Sequence, residues 1–511
     1  MPNPLDSPEM KRGAQEDACA ETRAREPRAA RRFEAGAGLL LLAGIAFFWA
    51  FAGLEAYRPL FQTVHGNDPV GYYSWVHSLC FDGDLDFENE YRALNRGRPL
   101  AAITWANPDA PRTRTGRLPN YFAMGPGLLW APFLGAAHVL ARDLGGARDG
   151  FSQPYHMAVF LALTCYGLAG LLLMYAALRT WFGQIVSAVA ALGAWGASPA
   201  LYYTFPLTAS GHACSLFAVS LFLLAWARLR ERDGAWAWAC IGLTLGIAAL
   251  VRWQDGAFAV LPALDLWARR GTKGARQTLW LAAGAAAGFA PQMIGWLLVF
   301  GTPLILPQGR GFMHWTSPDV PAFFFSRAYG LLTWTPFCGV AMAGLLFAPK
   351  GRRAAFAAMG AALLVQVYVN ACLYETGWSF GMRRMVNCTP VFAAGFAALL
   401  NRFPGRRLSL SLAIVFAVAW NALTILQYAG FVDGVYVNRA FREVARQQGV
   451  AVETLKDGAV LPDGTRFDAF AVALRHCFPR GGGPSLRQLY CDKGLVLHAL
   501  ASRMLSLPPP E

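Results

Sequence analysis

The sequence predicts an all-α polytopic membrane protein with about 11 transmembrane helices. Three observations predict it. Hydrophobic residues make up 55% of the 511 and recur in long blocks. Only 15% of residues are charged, against about 25% in an ordinary soluble domain. Lys and Arg collect in the short stretches between blocks, on one side throughout once the first block sets the direction. Mean hydropathy is +0.33. In a soluble chain the net charge of +14 would suggest nucleic acid. Here it is a topology signal, and no nucleic-acid partner is expected. The ten cysteines form no C-x-x-C pair, which argues against zinc-finger and iron–sulfur chemistry.

Residues 1–34 mix Pro, Ala, Arg and Glu without apolar periodicity and read as a disordered cytoplasmic tail. A transmembrane domain follows over 35–429. Its first span, 35–54, lies behind Arg31 and Arg32, which place its start in the cytoplasm. No small-residue cleavage site follows, so the span reads as a signal anchor. Residues 55–154 form a long outer loop. It opens on Asn67-Asp68-Pro69-Val70-Gly71-Tyr72-Tyr73 and continues through Asp82, Asp84, Asp86, Glu88 and Glu90. A basic part follows with Arg92, Arg96, Arg98, Arg112, Arg114 and Arg117, then the run Asn120 to Gly127. The apolar stretch 128–140 is short for a span, and Trp130 and His138 suit a helix lying at the interface.

Further spans are expected near 155–178, 185–203, 213–229, 234–251, 256–267, 279–300, 328–347, 354–373, 386–400 and 408–427. The intervening basic loops carry Arg179; Arg228, Arg230 and Arg232; Arg269, Arg270, Lys273 and Arg276; Lys350, Arg352 and Arg353; and Arg402, Arg406 and Arg407. With this count all five fall on the cytoplasmic side. Residues 430–511 then lie outside as a polar, folded region with a helix over 439–448. Cys477 and Cys491 lie in it, and whether they pair is left open.

Chemistry-bearing residues collect on the outer side. Asp68 sits at the end of the first span beside two tyrosines, within reach of a lipid head group. Arg383 and Arg384 stand at an outer boundary, against the positive-inside trend. Such arginines suit a phosphate, since the guanidinium fork matches its oxygens and stays charged. Lipid anchoring or a salt bridge to the acidic loop is the plainer alternative. Arg327 is a second phosphate candidate. Arg252 ranks lower, because Asp255 three residues on would neutralise it on a helix. His212 and His314 read first as structural hydrogen-bonding residues. The pocket set comprises Tyr72, Tyr73, Asp84, Asp86, His314 and Trp378. Asp84 and Asp86 have the D-x-D spacing of a divalent-ion site, a weak signal because such runs also make ordinary turns. No metal is assigned, and a divalent cation as cofactor is left open.

An outer carboxylate with outer arginines fits transfer of a group from a lipid phosphate. One base takes the acceptor's proton, and the arginines offset charge on the departing phosphate. At these residues the chain resembles the GT-C superfamily of integral-membrane glycosyltransferases, in the branch of protein O-mannosyltransferases and lipid A aminoarabinose transferase. The resemblance spans about residues 35 to 430. It implies a GT-C-like bundle whose long first periplasmic loop contains interfacial helices. It implies Asp68 as the base, with Pro69 where the family commonly has a second acid. It implies a polyprenyl-phosphate sugar as donor, and a periplasmic glycan, lipid or protein as acceptor. The expected location is a bacterial inner membrane. A transporter or flippase of a lipid-linked saccharide is the alternative, favoured by ionisable residues deep in spans, of which Asp265 is one of few. An inert membrane scaffold is the third reading.

Overall fold

The computed structural model describes most of residues 64–428, apart from short stretches such as 97–104, 206–208 and 374–378, and only scattered positions outside that range. The first span, the N-terminal tail and both C-terminal cysteines lie largely or wholly outside the described residues. What is described is helical, with no strand pairing into a sheet.

The outer loop supplies α1 (Asn67–His77), α2 (Glu88–Leu94) and α3 (Gly125–Leu140). Then come α4 (Gln153–Leu178), α5 (Gln184–Gly196), α6 (Ala200–Thr204), α7 (His212–Leu229) and α8 (Ala235–Val251). After a 3-10 turn at Trp253–Ala259 the chain runs through α9 (Val260–Ala268) and α10 (Thr272–Phe300). The remainder is α11 (Val320–Phe325), α12 (Leu331–Trp334), α13 (Phe337–Gly344), α14 (Arg353–Ala371), α15 (Thr389–Arg402) and α16 (Arg407–Tyr428). Among the described residues, α4, α7, α10, α14 and α16 are long and apolar enough to cross a membrane by themselves. The other expected spans that fall within the described residues are shorter or broken.

The breaks follow from proline chemistry. The stretch 185–203 divides at Ser198-Pro199 because the residue before proline is driven out of the helical region and proline has no N–H. The carbonyls freed at Gly196 and Ser198 both accept from buried Asn421 of α16, at 2.7 and 2.9 Å. Away from water, such a partner is what makes a broken helix tolerable. The stretch 328–347 likewise divides at Thr335-Pro336, where the Thr335 hydroxyl donates to Leu331 O at 2.8 Å.

Helices α8 and α10 pack backbone to backbone. A Cβ on Gly242 or Gly246 would meet the carbonyls of Leu281 or Ala285 at 2.0 and 2.2 Å. One on Gly284 or Gly288 would meet those of Ala239 or Leu243 at 2.1 and 2.5 Å. Two small-xxx-small pairs therefore interlock, the close-packing device of membrane helices.

The two ends of the bundle differ in character. At one end the basic loops tie to one another. Arg230 pairs with Asp265 at 2.5 Å, Arg269 with Asp233 at 3.0 Å, and Arg352 with Glu231 at 2.6 Å. Asp265 thus belongs to this ion-pair network. The outer loop packs on the other end, over a second apolar core that includes Val70, Trp75, Phe87, Tyr91, Trp296 and Phe300. There it closes the C-terminus of α10. Thr113 and Thr115 donate to Val299 O, Arg114 to Phe300 O and Gly301 O, and Arg117 to Leu298 O. These carbonyls have no partner within their own helix, and cations suit the negative end of its dipole. The basic half of the outer loop therefore serves as a helix cap. Its acidic half is partly neutralised within the loop, with Arg112 binding Asp86 and Glu88 at 2.8 and 2.5 Å.

Candidate active site

Asp68 is placed by the start of α1. Gly66 turns the chain at φ 94°, ψ −179°, a region essentially reserved for glycine, and helix begins at Asn67. Asp68 falls in the first turn, where the helix dipole favours a carboxylate. The helix is fastened by the run Asn120 to Gly127. Asn120 donates to Gly71 O at 2.8 Å and Trp75 Nε1 to Phe122 O at 2.9 Å. Gly127 approaches so near that a Cβ would lie 2.4 Å from Tyr72 O. On the far side Met124 N donates to Gln292 Oε1 at 2.7 Å, joining the run to α10.

Opposite Asp68 stands a 3-10 turn, Arg383–Cys388, that leads into α15. Arg383 points at Asp68, nitrogen to oxygen 3.8 Å, with both side chains about a third exposed. Arg384 is steadied by donation from Nη1 to Leu373 O at 3.0 Å. Arg252 enters from the end of α8. Its backbone is extended (φ −149°, ψ 124°), so it does not share a helical face with Asp255. Asp255 is fully buried and accepts instead from Ser215 Oγ and, at 2.8 Å, Asn387 Nδ2. The Arg252 guanidinium lies 2.7 Å from His212 Nδ1 at the start of α7. The Arg252 charge still acts on Asp255, but its guanidinium's hydrogen bond goes to His212.

Asp68, His212, Arg252, Arg383 and Arg384 line a cavity of about 520 Å³, together with Tyr72, Trp105, Tyr121, Phe122, Trp253, Gln254, Gln308, Phe312 and His314. Three guanidiniums and one carboxylate line it, so the lining is rich in positive charge. Several aromatic rings suit the apolar faces of a sugar. Burial pushes the Tyr72 hydroxyl well above its ordinary range, with the Asp68 charge adding to the rise. It therefore stays a neutral hydrogen-bonding group. Next to this cavity is an apolar one of about 510 Å³, lined by Ala249, Phe289, Trp296, Leu304, Ile305 and Leu306, with Trp253 as shared wall.

The cavity brings together Asp68, Tyr72, His314, Arg383 and Arg384 from the sequence-derived set. Tyr73, Asp84, Asp86 and Arg327 lie elsewhere. Tyr73 is buried in the core and donates its hydroxyl to Gly150 O. Asp84 accepts from Ser78 Oγ and Asp86 N, both at 2.9 Å, and Asp86 binds Arg112 and the Leu118 N–H. Both aspartates serve the loop's own structure. Arg327 is exposed in a turn outside the cavity lining. Trp378 lies outside the described residues. Arg252 joins the cavity lining: its backbone is extended rather than helical, which the i,i+3 spacing to Asp255 does not reveal, and its guanidinium meets His212. Trp105, Gln254 and Gln308 carried no local signal, because only the packing of loops distant in sequence brings them together.

Comparison with solved structures finds likenesses. The chain is similar to ArnT. It matches the crystal structure of ArnT from Cupriavidus metallidurans in the apo state at 15% identity and TM-score 0.44, covering 91% of this chain and 80% of that one. It matches the same protein bound to undecaprenyl phosphate at 14% identity and TM-score 0.47, covering 92% and 79%. No family model matches the chain, and no curated protein does.

Proposed function

We propose that the chain is a membrane glycosyltransferase that moves a sugar from a polyprenyl-phosphate donor to an acceptor at the outer face. The observation that carries this is the paired cavity: Asp68 facing Arg383, with Arg252 and Arg384, beside an apolar cavity across Trp253. That pairing suits an amphiphile with an anionic head and a hydrocarbon tail. The donor phosphate sits among the arginines, the sugar against the aromatic rings, and the first isoprenes along Trp296 and Phe289.

The acceptor's hydroxyl or amine attacks the anomeric carbon from the side opposite the phosphate. The carbon–oxygen bond to phosphate breaks as the new bond forms, with inversion. Asp68 takes the acceptor's proton. The arginines carry the charge gathered on the departing polyprenyl phosphate, so no general acid is needed.

The test is transfer by the purified full-length chain in nanodiscs. Labelled polyprenyl-phosphate hexoses and pentoses are supplied with an envelope extract as acceptor. Release of free polyprenyl phosphate with labelled product supports the reading. Movement of intact labelled donor between leaflets without transfer overturns it in favour of a transporter.

A further inference from the structure

At the far end of α1 from Asp68, the side chains of His77, Asp82 and Glu90 converge outside the cavity. We propose that these three residues bind a divalent cation of the zinc class, which clamps the outer loop that positions Asp68. The site is independent of the transferase reading.

The backbone makes the convergence possible. Helix α1 runs directly into a π-turn, Ser78–Asp82, ended by Gly83 in the left-handed region with its N–H on Ser78 O at 2.6 Å. Five residues along an α-helix, a side chain lies about 140° round from its start. The wider π-turn brings Asp82 back to the side of His77, and such turns are frequent at functional sites.

His77 is held as a ligand imidazole is held. Its ring is 2% exposed and stacked between Phe81, 4.6 Å away at 4°, and Phe151, 4.2 Å away at 26°. Nε2 lies 3.1 Å from Asp149 O, an atom that only accepts, so Nε2 carries the hydrogen. Fixing the ring through a backbone carbonyl is the usual support for a metal-binding imidazole. Gly150 completes the fit, since a Cβ there would lie 2.4 Å from the ring. That leaves Nδ1 facing Glu90 Oε1 at 2.9 Å and Asp82 Oδ2 at 3.3 Å.

A solvent-exposed carboxylate, Asp82, and a buried one, Glu90, then meet at a buried ring nitrogen. Glu90 is fully buried, and its Oε2 has no hydrogen-bond partner among the described residues. An imidazolium would offset one of the two negative charges. A divalent cation on a neutral imidazole offsets both. The spacing suits zinc: tetrahedral bonds of about 2.0–2.1 Å set ligand atoms about 3.3 Å apart. The three candidate atoms all lie within 4.8 Å of one another. Small side-chain shifts reach the geometry, with a fourth position for water. Asn89 Nδ2 donates to Asp82 Oδ2 at 2.9 Å and orients that carboxylate. Bound there, the ion would join α1, the π-turn, α2 and the loop before α4.

The experiment measures metal in the full-length chain purified in detergent without added metal, by plasma mass spectrometry. About one equivalent of zinc per chain is expected. Glu90→Gln and Asp82→Asn should each lower it about tenfold or more, while Glu88→Gln, on the exposed side of α2, retains it. The chelator-stripped wild-type chain is then titrated with Zn2+, and its thermal midpoint should rise and saturate. This second reading stands even where a variant fails to fold. The proposal is overturned if the wild-type chain carries no stoichiometric metal and Zn2+ leaves its midpoint unchanged, as a proton shared by the cluster would have it. It is also overturned if only Ca2+ stabilises.

Discussion

Replacing Asp68 by Asn should separate donor binding from chemistry. The substitution keeps the side-chain shape and removes one negative charge from a cavity that holds three arginines. Asp68 lies 3.8 Å from Arg383. A donor phosphate bound by that guanidinium on the side away from Asp68 would sit about 6–7 Å from the carboxylate. Both side chains are about a third exposed, so an effective dielectric of about 40 is reasonable, between surface and water values. The lost repulsion is then about 1–2 kcal/mol, or about tenfold tighter donor binding. The lost base costs about 10²–10⁴ in turnover. The expected signature of Asp68→Asn is therefore a lower Kd for the polyprenyl-phosphate donor together with collapsed kcat. Equilibrium binding of labelled donor in nanodiscs and single-turnover transfer measure the two. Full turnover, or donor binding weakened rather than tightened, would refute the assignment of Asp68 as a base facing a phosphate held by Arg383.

Other outcomes follow from the same geometry. Trp253→Ala opens the wall between the two cavities, and should raise KM for a long-chain donor about tenfold more than for a short-chain analogue, since apolar contact is lost only with the tail. Arg252→Gln removes a buried cation beside His212 and near buried Asp255, and should slow transfer by about 10²–10³ and lower the thermal midpoint, readable by kinetics and melting on one preparation. Gly284→Val forces a side chain into the Ala239 carbonyl, and should destabilise the α8–α10 pair by about 1–3 kcal/mol or more, seen as a lowered midpoint or lost monodisperse protein. Asn421→Ala strips the partner from two buried carbonyls, and should cost about 1–2 kcal/mol without altering the donor KM.

Much of the organisation was legible because it rests on one-dimensional rules. Apolar block length located α4, α7, α14 and α16 within about two residues, and α10 apart from its polar first two turns. Asp68, Arg383 and Arg384 were picked out by standing where charge statistics disfavour them or where a lipid head group would lie. The breaks at Pro199 and Pro336 were less legible. Proline announces a break, yet hydropathy averages over it, and the tolerance of the gap at Pro199 depends on Asn421 more than 200 positions away.

The acidic run shows the same limit from the other side. Asp82, Asp84, Asp86, Glu88 and Glu90 look alike in sequence. Folding gives Asp84 a turn, Asp86 and Glu88 to Arg112, and turns Asp82 and Glu90 onto His77. The basic run was equally ambiguous until α10 offered its carbonyl end to Arg114 and Arg117.

By itself the sequence determined that this chain is a helical, multi-pass membrane protein with its unusual charges gathered in particular loops. Burial of apolar length and the cost of placing charge in lipid depend on local composition alone. Only the tertiary structure decided which charges meet. Asp68, Arg252 and Arg383 come from loops about 130 to more than 180 residues apart along the chain. Their union in one cavity depends on helix packing set by glycines and a few buried polar side chains, and that pairing is not written in any local stretch.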